Sequence, residues 1–225
     1  MPGIKTLKEI EKITKACQIT DQAFSKIIAA LKKGKFKTEK QVASFFINTI
    51  KEQGGYPAFR PIIASGKNSV EIHHRPSGKL KKGFLIIDIG ATYKKYRADM
   101  TRTVYLGKPA KKEVEPYNLL LKVQKNAIEQ TRLNKKFSTL EKAARKQLGK
   151  YNEYFTHRLG HGVGLKVHEA PDFRKHKIQN NQVFTIEPGI YIPDKFGIRI
   201  EDTVLFKGKP IILTKSPKDL IKINY

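Results

Sequence analysis

Three histidines, His157, His161 and His168, fall within the segment FTHRLGHGVGLKVHE, residues 155–169. Glycines at 160, 162 and 164 rule out a continuous helix there and give the backbone conformations that other residues avoid, which lets side chains be aimed at a common point. The segment reads as the histidine wall of an active site. Four acids elsewhere, Asp88, Asp99, Glu187 and Glu201, can be placed around it. Asp88 and Asp99 flank the run GATYKKYRA, and a symmetric turn centred on Tyr93-Lys94 would set them directly opposite. Glu187 and Glu201 flank a run centred on Asp194, which would set them face to face as well. Cross-strand partners have Cβ atoms about 4.5 to 5.5 Å apart, so like charges this close repel unless a cation lies between them. Solvent-facing strand acids paired with the many lysines are the competing reading. It is the weaker one at Asp88, which follows Phe84-Leu85-Ile86-Ile87, and at Glu187, inside VFTIEPGIYI. Oxygen donors with one imidazole suit two divalent ions such as manganese, cobalt or iron better than a closed tetrahedral zinc site. Two ions about 3.5 to 4 Å apart are a familiar clamp for hydrolysis.

The elements that must position these groups follow from periodicity and punctuation. Thr6 with Glu9 has the spacing of a capping box, and Leu7, Ile10, Ile13, Cys17, Phe24, Ile27, Ile28 and Leu31 recur behind it at helical spacing, ending at Lys33-Gly34. Thr38 with Gln41 opens a second helix that closes at Gly54-Gly55. The segment YPAFRPIIASG is too broken by proline for a helix and reads as a strand with irregular flanks. Residues 83–106 read as strand, turn, strand. Helical spacing returns over 114–131, where Pro116 is tolerable only in the first turn, and again behind Ser138 and Glu141, read as caps. VFTIEPGIYI, GIRIEDTVLF and PIILT are strands. Two helices and a hairpin are thus followed by two helices and a hairpin, and the hairpin ends rhyme: Thr103-Val104 leads to Gly107-Lys108-Pro109 and Thr203-Val204 to Gly208-Lys209-Pro210. Two similar halves about a pseudo-twofold axis, with helices grouped on antiparallel strands, make the class α+β.

A chain of 225 residues is long enough to bury a substantial core. With no long polar linker it reads as one catalytic domain over residues 1–225. No apolar run approaches the length of a membrane span, and the N-terminus lacks a signal-peptide core, so a cytoplasmic protein without a membrane partner is expected. The lone Cys17 is expected to be an inert core thiol. The net charge of +25 does not localise: nine of the 45 basic residues are arginine and the lysines are strewn along the chain. A solvated basic surface is the expectation, with no specific nucleic acid partner; the sequence leaves the oligomeric state open.

The motifs DIGATYKKYRADMTRT, HRLGHGVGLKVHEAP, FTIEPGIYIP and GIRIEDTVLF resemble the pita-bread metallopeptidases, and the Xaa-Pro branch (prolidase and aminopeptidase P) in particular. The resemblance implies a pita-bread fold. It implies five metal ligands, Asp88, Asp99, His161, Glu187 and Glu201, for two divalent ions: manganese or cobalt first, iron or zinc as alternatives. It implies that His168 contacts the substrate carbonyl, that His73 lies near the scissile amide, and that His157 and Arg199 hold the proline end of a peptide substrate. Glu187 would shuttle the proton as a metal-bridging hydroxide attacks. His74 and His176 are read as surface residues, and Tyr56 and Phe59 as pocket walls or, equally, core residues. Ile72 stands where that branch commonly has a proline, and the branch's usual N-terminal domain is not evident, so a stand-alone catalytic domain is expected. Methionine aminopeptidase activity, or a weakly catalytic module binding protein or RNA, is the alternative.

Overall fold

The computed structural model describes residues 3–225. Helix α1 (Leu7–Lys32) opens on the Thr6–Glu9 capping box and α2 (Glu39–Lys51) on the Thr38–Gln41 box. Their apolar faces cover a sheet ordered β12-β6-β3-β2, built from β2 (Ile62–Ser65), β3 (Gly83–Ile89), β6 (Met100–Leu106) and β12 (Lys222–Ile223). A smaller sheet joins β1 (Tyr56–Pro57), β4 (Ala91–Tyr93) and β5 (Tyr96–Arg97) in the order β1-β4-β5. The second half repeats the plan. Helices α3 (Lys111–Glu129) and α4 (Phe137–Leu148) share a core with β7 (Gln182–Ile186), β8 (Gly189–Ile192), β9 (Phe196–Arg199) and β10 (Asp202–Lys207), while β11 (Lys209–Ile212) borders β10. A third cluster, with Ile13, Ala16 and Cys17 of α1 against Val163, Val183 and Leu205, seals the halves together. Cys17 is fully buried, and burial pushes its thiol pKa up, so it is inert as expected. Among the described residues no helix is long and apolar enough to cross a membrane.

Three local expectations need correction. Helix α3 starts three residues earlier than its apolar spacing indicated, which puts Pro116 in the second turn. Helix α4 starts at Phe137, so Ser138 lies inside its first turn and caps nothing; Glu141 instead takes the Arg145 guanidinium and the Leu159 amide. The first hairpin turns at Lys94-Lys95, not Tyr93-Lys94. Both lysines have left-handed φ, +45° and +74°, as a two-residue hairpin loop matched to strand twist requires. Asp88 therefore pairs with Thr101, not Asp99. Asp99 lies two residues before Thr101, hence on the same face as Asp88 but diagonal to it. In the second half the expectation holds. Ile186 pairs with Asp202 and Gly189 with Arg199, one register on both sides of the gap, which leaves Glu187 facing Glu201.

Candidate metal centre

Each acid sits at or beside a break in a strand, and the interrupted backbone is stitched to a neighbouring segment, across the halves at Glu201 and Asp99 and within the second half at Glu187. Glu201 N–H donates to the Thr101 carbonyl at 3.1 Å, Asp99 N–H to Thr203 Oγ1 at 3.2 Å, and Glu187 N–H to the Leu159 carbonyl at 2.8 Å. The histidine segment is fixed by close packing. A Cβ on Gly162 would fall on the Ala170 carbonyl and one on Gly160 on the Thr185 carbonyl, so neither position has room for a side chain. Thr185 Oγ1 accepts from His161 N–H at 3.1 Å and donates to Glu187 Oε1 at 3.2 Å, tying the segment to β7.

The outcome is a cavity of about 470 Å³ whose walls include Asp88, Asp99, His161, Glu187 and Glu201. Asp99, His161 and Glu201 each offer a ligand atom within 4.8 Å of the others. His161 Nε2 is 3.2 Å from Glu187 Oε1 and 3.6 Å from Asp99 Oδ2, while its Nδ1 is 3.2 Å from the Gly162 carbonyl. That second contact fixes the tautomer in the manner of a metal-binding imidazole. Asp88 Oδ1 and Glu201 Oε1 are buried with no hydrogen-bond partner among the described residues. An orphaned carboxylate oxygen is costly unless a cation meets it, so the residues fit divalent ions. The electrostatics agree. Burial and the neighbouring carboxylates push Asp99 and Glu201 well above the usual carboxylate range, and burial with the Glu187 charge raises Asp88 despite Arg199. Burial opposes ionisation of both Glu187 and His161, but their hydrogen bond and mutual attraction prevail. Glu187 is held at about 2 and His161 is raised to about 9.

The remaining histidines lie around this cluster. The His168 ring meets His161 edge-on, centroids 4.0 Å apart, and is exposed to the cavity. His73 is on the same rim, and no hydrogen bond to its ring is found among the described residues. His157 Nδ1 contacts the Arg158 carbonyl at 2.8 Å and its Nε2 the Tyr191 hydroxyl at 2.9 Å. Burial lowers the His157 pKa, and the neutral ring accepts from Tyr191. Arg199 reaches the cavity wall but is buried: it donates to Asp88 Oδ2 at 2.6 Å, Tyr191 Oη at 2.7 Å and Thr101 Oγ1 at 3.1 Å. It is Asp88's counter-ion.

Sequence reasoning missed Tyr191, whose alternation in GIYI reads simply as strand, and Thr101, which donates to Glu201 Oε2 at 2.7 Å. It also misplaced His74, which is buried between Glu39 and Glu71 because both ring nitrogens have carboxylate partners. His176 is half-buried and accepts from the Asp172 amide at 2.7 Å. Phe59 lines the cavity; Tyr56 does not and is exposed.

Known proteins are similar to this chain in sequence and fold. The profile of metallopeptidase family M24 matches residues 11–207. An Xaa-Pro dipeptidase of Pyrococcus horikoshii is 42% identical over 97% of this chain, which spans 64% of that protein. The X-Pro aminopeptidase structure from Thermotoga maritima superposes with a TM-score of 0.91 at 36% identity, over 98% of this chain and 65% of that one. An Xaa-Pro dipeptidase from Bacillus anthracis gives 0.93 at 35% identity, over 98% and 64%. The α+β pita-bread architecture is thereby shown for this chain.

Proposed function

The chain belongs to metallopeptidase family M24, and from that premise we propose that it removes the N-terminal residue of peptides at Xaa-Pro bonds with two divalent cations. The observation that carries the reading is the convergence of Asp99, His161 and Glu201 within 4.8 Å on a cavity that Asp88 and Glu187 also wall. In this reading Asp88, Asp99, His161, Glu187 and Glu201 hold the ions, manganese or cobalt first. When bound, such ions supply Lewis acidity and a water acidified enough to be nucleophilic at neutral pH.

The chain's own groups do the rest. Glu187, ionised and close to His161, takes the proton of the attacking water and delivers it to the departing proline nitrogen. His168 donates to the carbonyl oxygen of the scissile bond as negative charge grows on it, and His73 holds the amide. His157, neutral and braced by Tyr191, flanks the proline end. Arg199 acts through Asp88 and Tyr191, keeping one buried carboxylate ionised and one phenol oriented. Phe59, Ile62 and Val167 are apolar walls that exclude water.

The test is metal-reconstituted protein on a matched panel of Xaa-Pro and Met-Ala peptides. Turnover of Xaa-Pro peptides that needs added manganese or cobalt is expected. Faster cleavage of Met-Ala peptides would move the chain to methionine aminopeptidase chemistry, and hydrolysis of neither would remove the peptidase reading.

A further inference from the structure

Behind His74, which lines the cavity, lies a buried acid with an unusual number of donors. Glu39 is the first residue of α2 and is fully buried. Its Oε1 accepts from Ser65 N–H at 2.7 Å, Ser65 Oγ at 2.8 Å and Asn68 Nδ2 at 3.1 Å. Its Oε2 accepts from His74 Nε2 at 2.8 Å and Ser77 N–H at 2.9 Å. The helix N-terminus adds a favourable field for the anion. These donors come from both ends of one loop, residues 65–77, so a single carboxylate closes it like a staple. His74 Nδ1 meets Glu71 Oε2 at 3.0 Å. With an acceptor-only carboxylate at each nitrogen, both nitrogens donate and the ring is an imidazolium. Ser69 Oγ, which accepts from Gly197 N–H at 2.7 Å, fastens the same loop to β9.

His73 is the residue next to His74. It lies on the cavity rim, and among the described residues no hydrogen bond holds its ring. Its placement is therefore set by its backbone, and the backbone by the inward anchor one residue on. We infer that Glu39 and His74 form a positioning pair that fixes the loop so that the His73 imidazole faces the cavity. The inference rests on the proposed role of His73 at the scissile amide. Neither Glu39 nor His74 touches the reacting atoms; both act through His73.

The test combines His74→Gln, Glu39→Gln and His73→Ala, singly and in pairs, in the manganese-loaded protein. Misplacement of a reacting group by about 1 Å costs about 100-fold, so His74→Gln is expected to lower kcat by about 10- to 100-fold with KM largely unchanged. In the His73→Ala background the same substitution should have almost no further effect, because coupled residues are not additive. Equal losses in both backgrounds, or full kcat in His74→Gln, overturn the inference. Glu39→Gln should behave like His74→Gln, which serves alone if the Glu39 variant does not fold. A second readout is independent of turnover. Ring-nitrogen NMR of the metal-free protein should show His74 protonated at both nitrogens, and His74→Gln should shift the His73 ring signals and speed amide exchange over residues 71–77. If His73→Ala keeps full turnover, the role of His73 in the proposed function fails. The positioning pair is then judged on those spectra, and an unmoved His73 signal overturns it.

Discussion

Removing the cations from this centre should destabilise the whole protein, and the size of the effect can be worked out. Asp88 Oδ1 and Glu201 Oε1 are buried without hydrogen-bond partners among the described residues, and an unsatisfied buried group costs about 1–3 kcal/mol, more when charged. Ions at a hundredfold excess over their dissociation constant add about 2.7 kcal/mol by mass action. In a protein of this size about 1 kcal/mol moves Tm by about 2–4 °C, so manganese should raise Tm over the chelated protein by about 5–11 °C. The pH dependence has a definite sign. Asp88, Asp99 and Glu201 have folded pKa values raised above their unfolded ones. The folded state therefore holds extra protons, and stability is lost as pH rises through those values. The His161–Glu187 pair is complete between the unfolded Glu value of 4.5 and the unfolded His value of 6.5, and its His161 share fades as pH rises toward about 9. Above pH 6.5 the His161 share falls, so the chelated protein should lose Tm toward pH 9 and the gain from manganese should widen. Glu201→Gln should make the chelated protein at least as stable as the chelated wild type while abolishing most of the manganese gain. Thermal scans with chelator or manganese at several pH values decide it. A Tm indifferent to cations, or a chelated Tm that climbs from pH 6.5 to 9, would refute the reasoning.

Other consequences are equally direct. His161 must release a proton to bind a cation, so apparent manganese affinity measured by calorimetry should rise steadily as pH approaches 9. Arg199→Met leaves Asp88 and Tyr191 without their donor and should cost about 3–5 kcal/mol in denaturant unfolding; a loss below the level of a surface substitution would contradict the counter-ion assignment. His168→Ala should lower turnover while metal content, by elemental analysis, is unchanged; loss of the metals would mean that His168 is a ligand. Gly162→Ala pushes a methyl group onto the Ala170 carbonyl and should cost about 1–3 kcal/mol together with weaker cation affinity, since His161 is the preceding residue.

Much of this was legible in the chain itself, and the failures have specific physical causes. Thr6 and Thr38 marked their helices because a side-chain cap is a local event. The register across Glu187 and Glu201 could be read because the loop around Asp194 is symmetric. The register across Asp88 and Asp99 could not, because its left-handed turn is made of two lysines where glycine or asparagine would be the usual signal. His74 was misread because its partner Glu39 is 35 residues away, and pairings at that distance leave no trace in periodicity. Tyr191 and Thr101 were invisible for the same reason: each looks like ordinary strand until distant partners, His157 for Tyr191 and Glu201 in the other half for Thr101, are in place.

The stitching across the strand breaks has one more implication. Asp99 to Thr203, Thr101 to Glu201, Thr103 to Arg199 and the buried Arg102 to Asp202 pair all run between residues roughly a hundred positions apart. The five candidate ligands divide between the repeats, Asp88 and Asp99 in the first and His161, Glu187 and Glu201 in the second, so neither carries the full set without its twin. If the rhyming hairpins descend from one ancestral unit, that unit had to meet a copy of itself before it could assemble the full ligand set, and cutting the chain between β6 and α3 should yield two fragments that become competent only on reassociation.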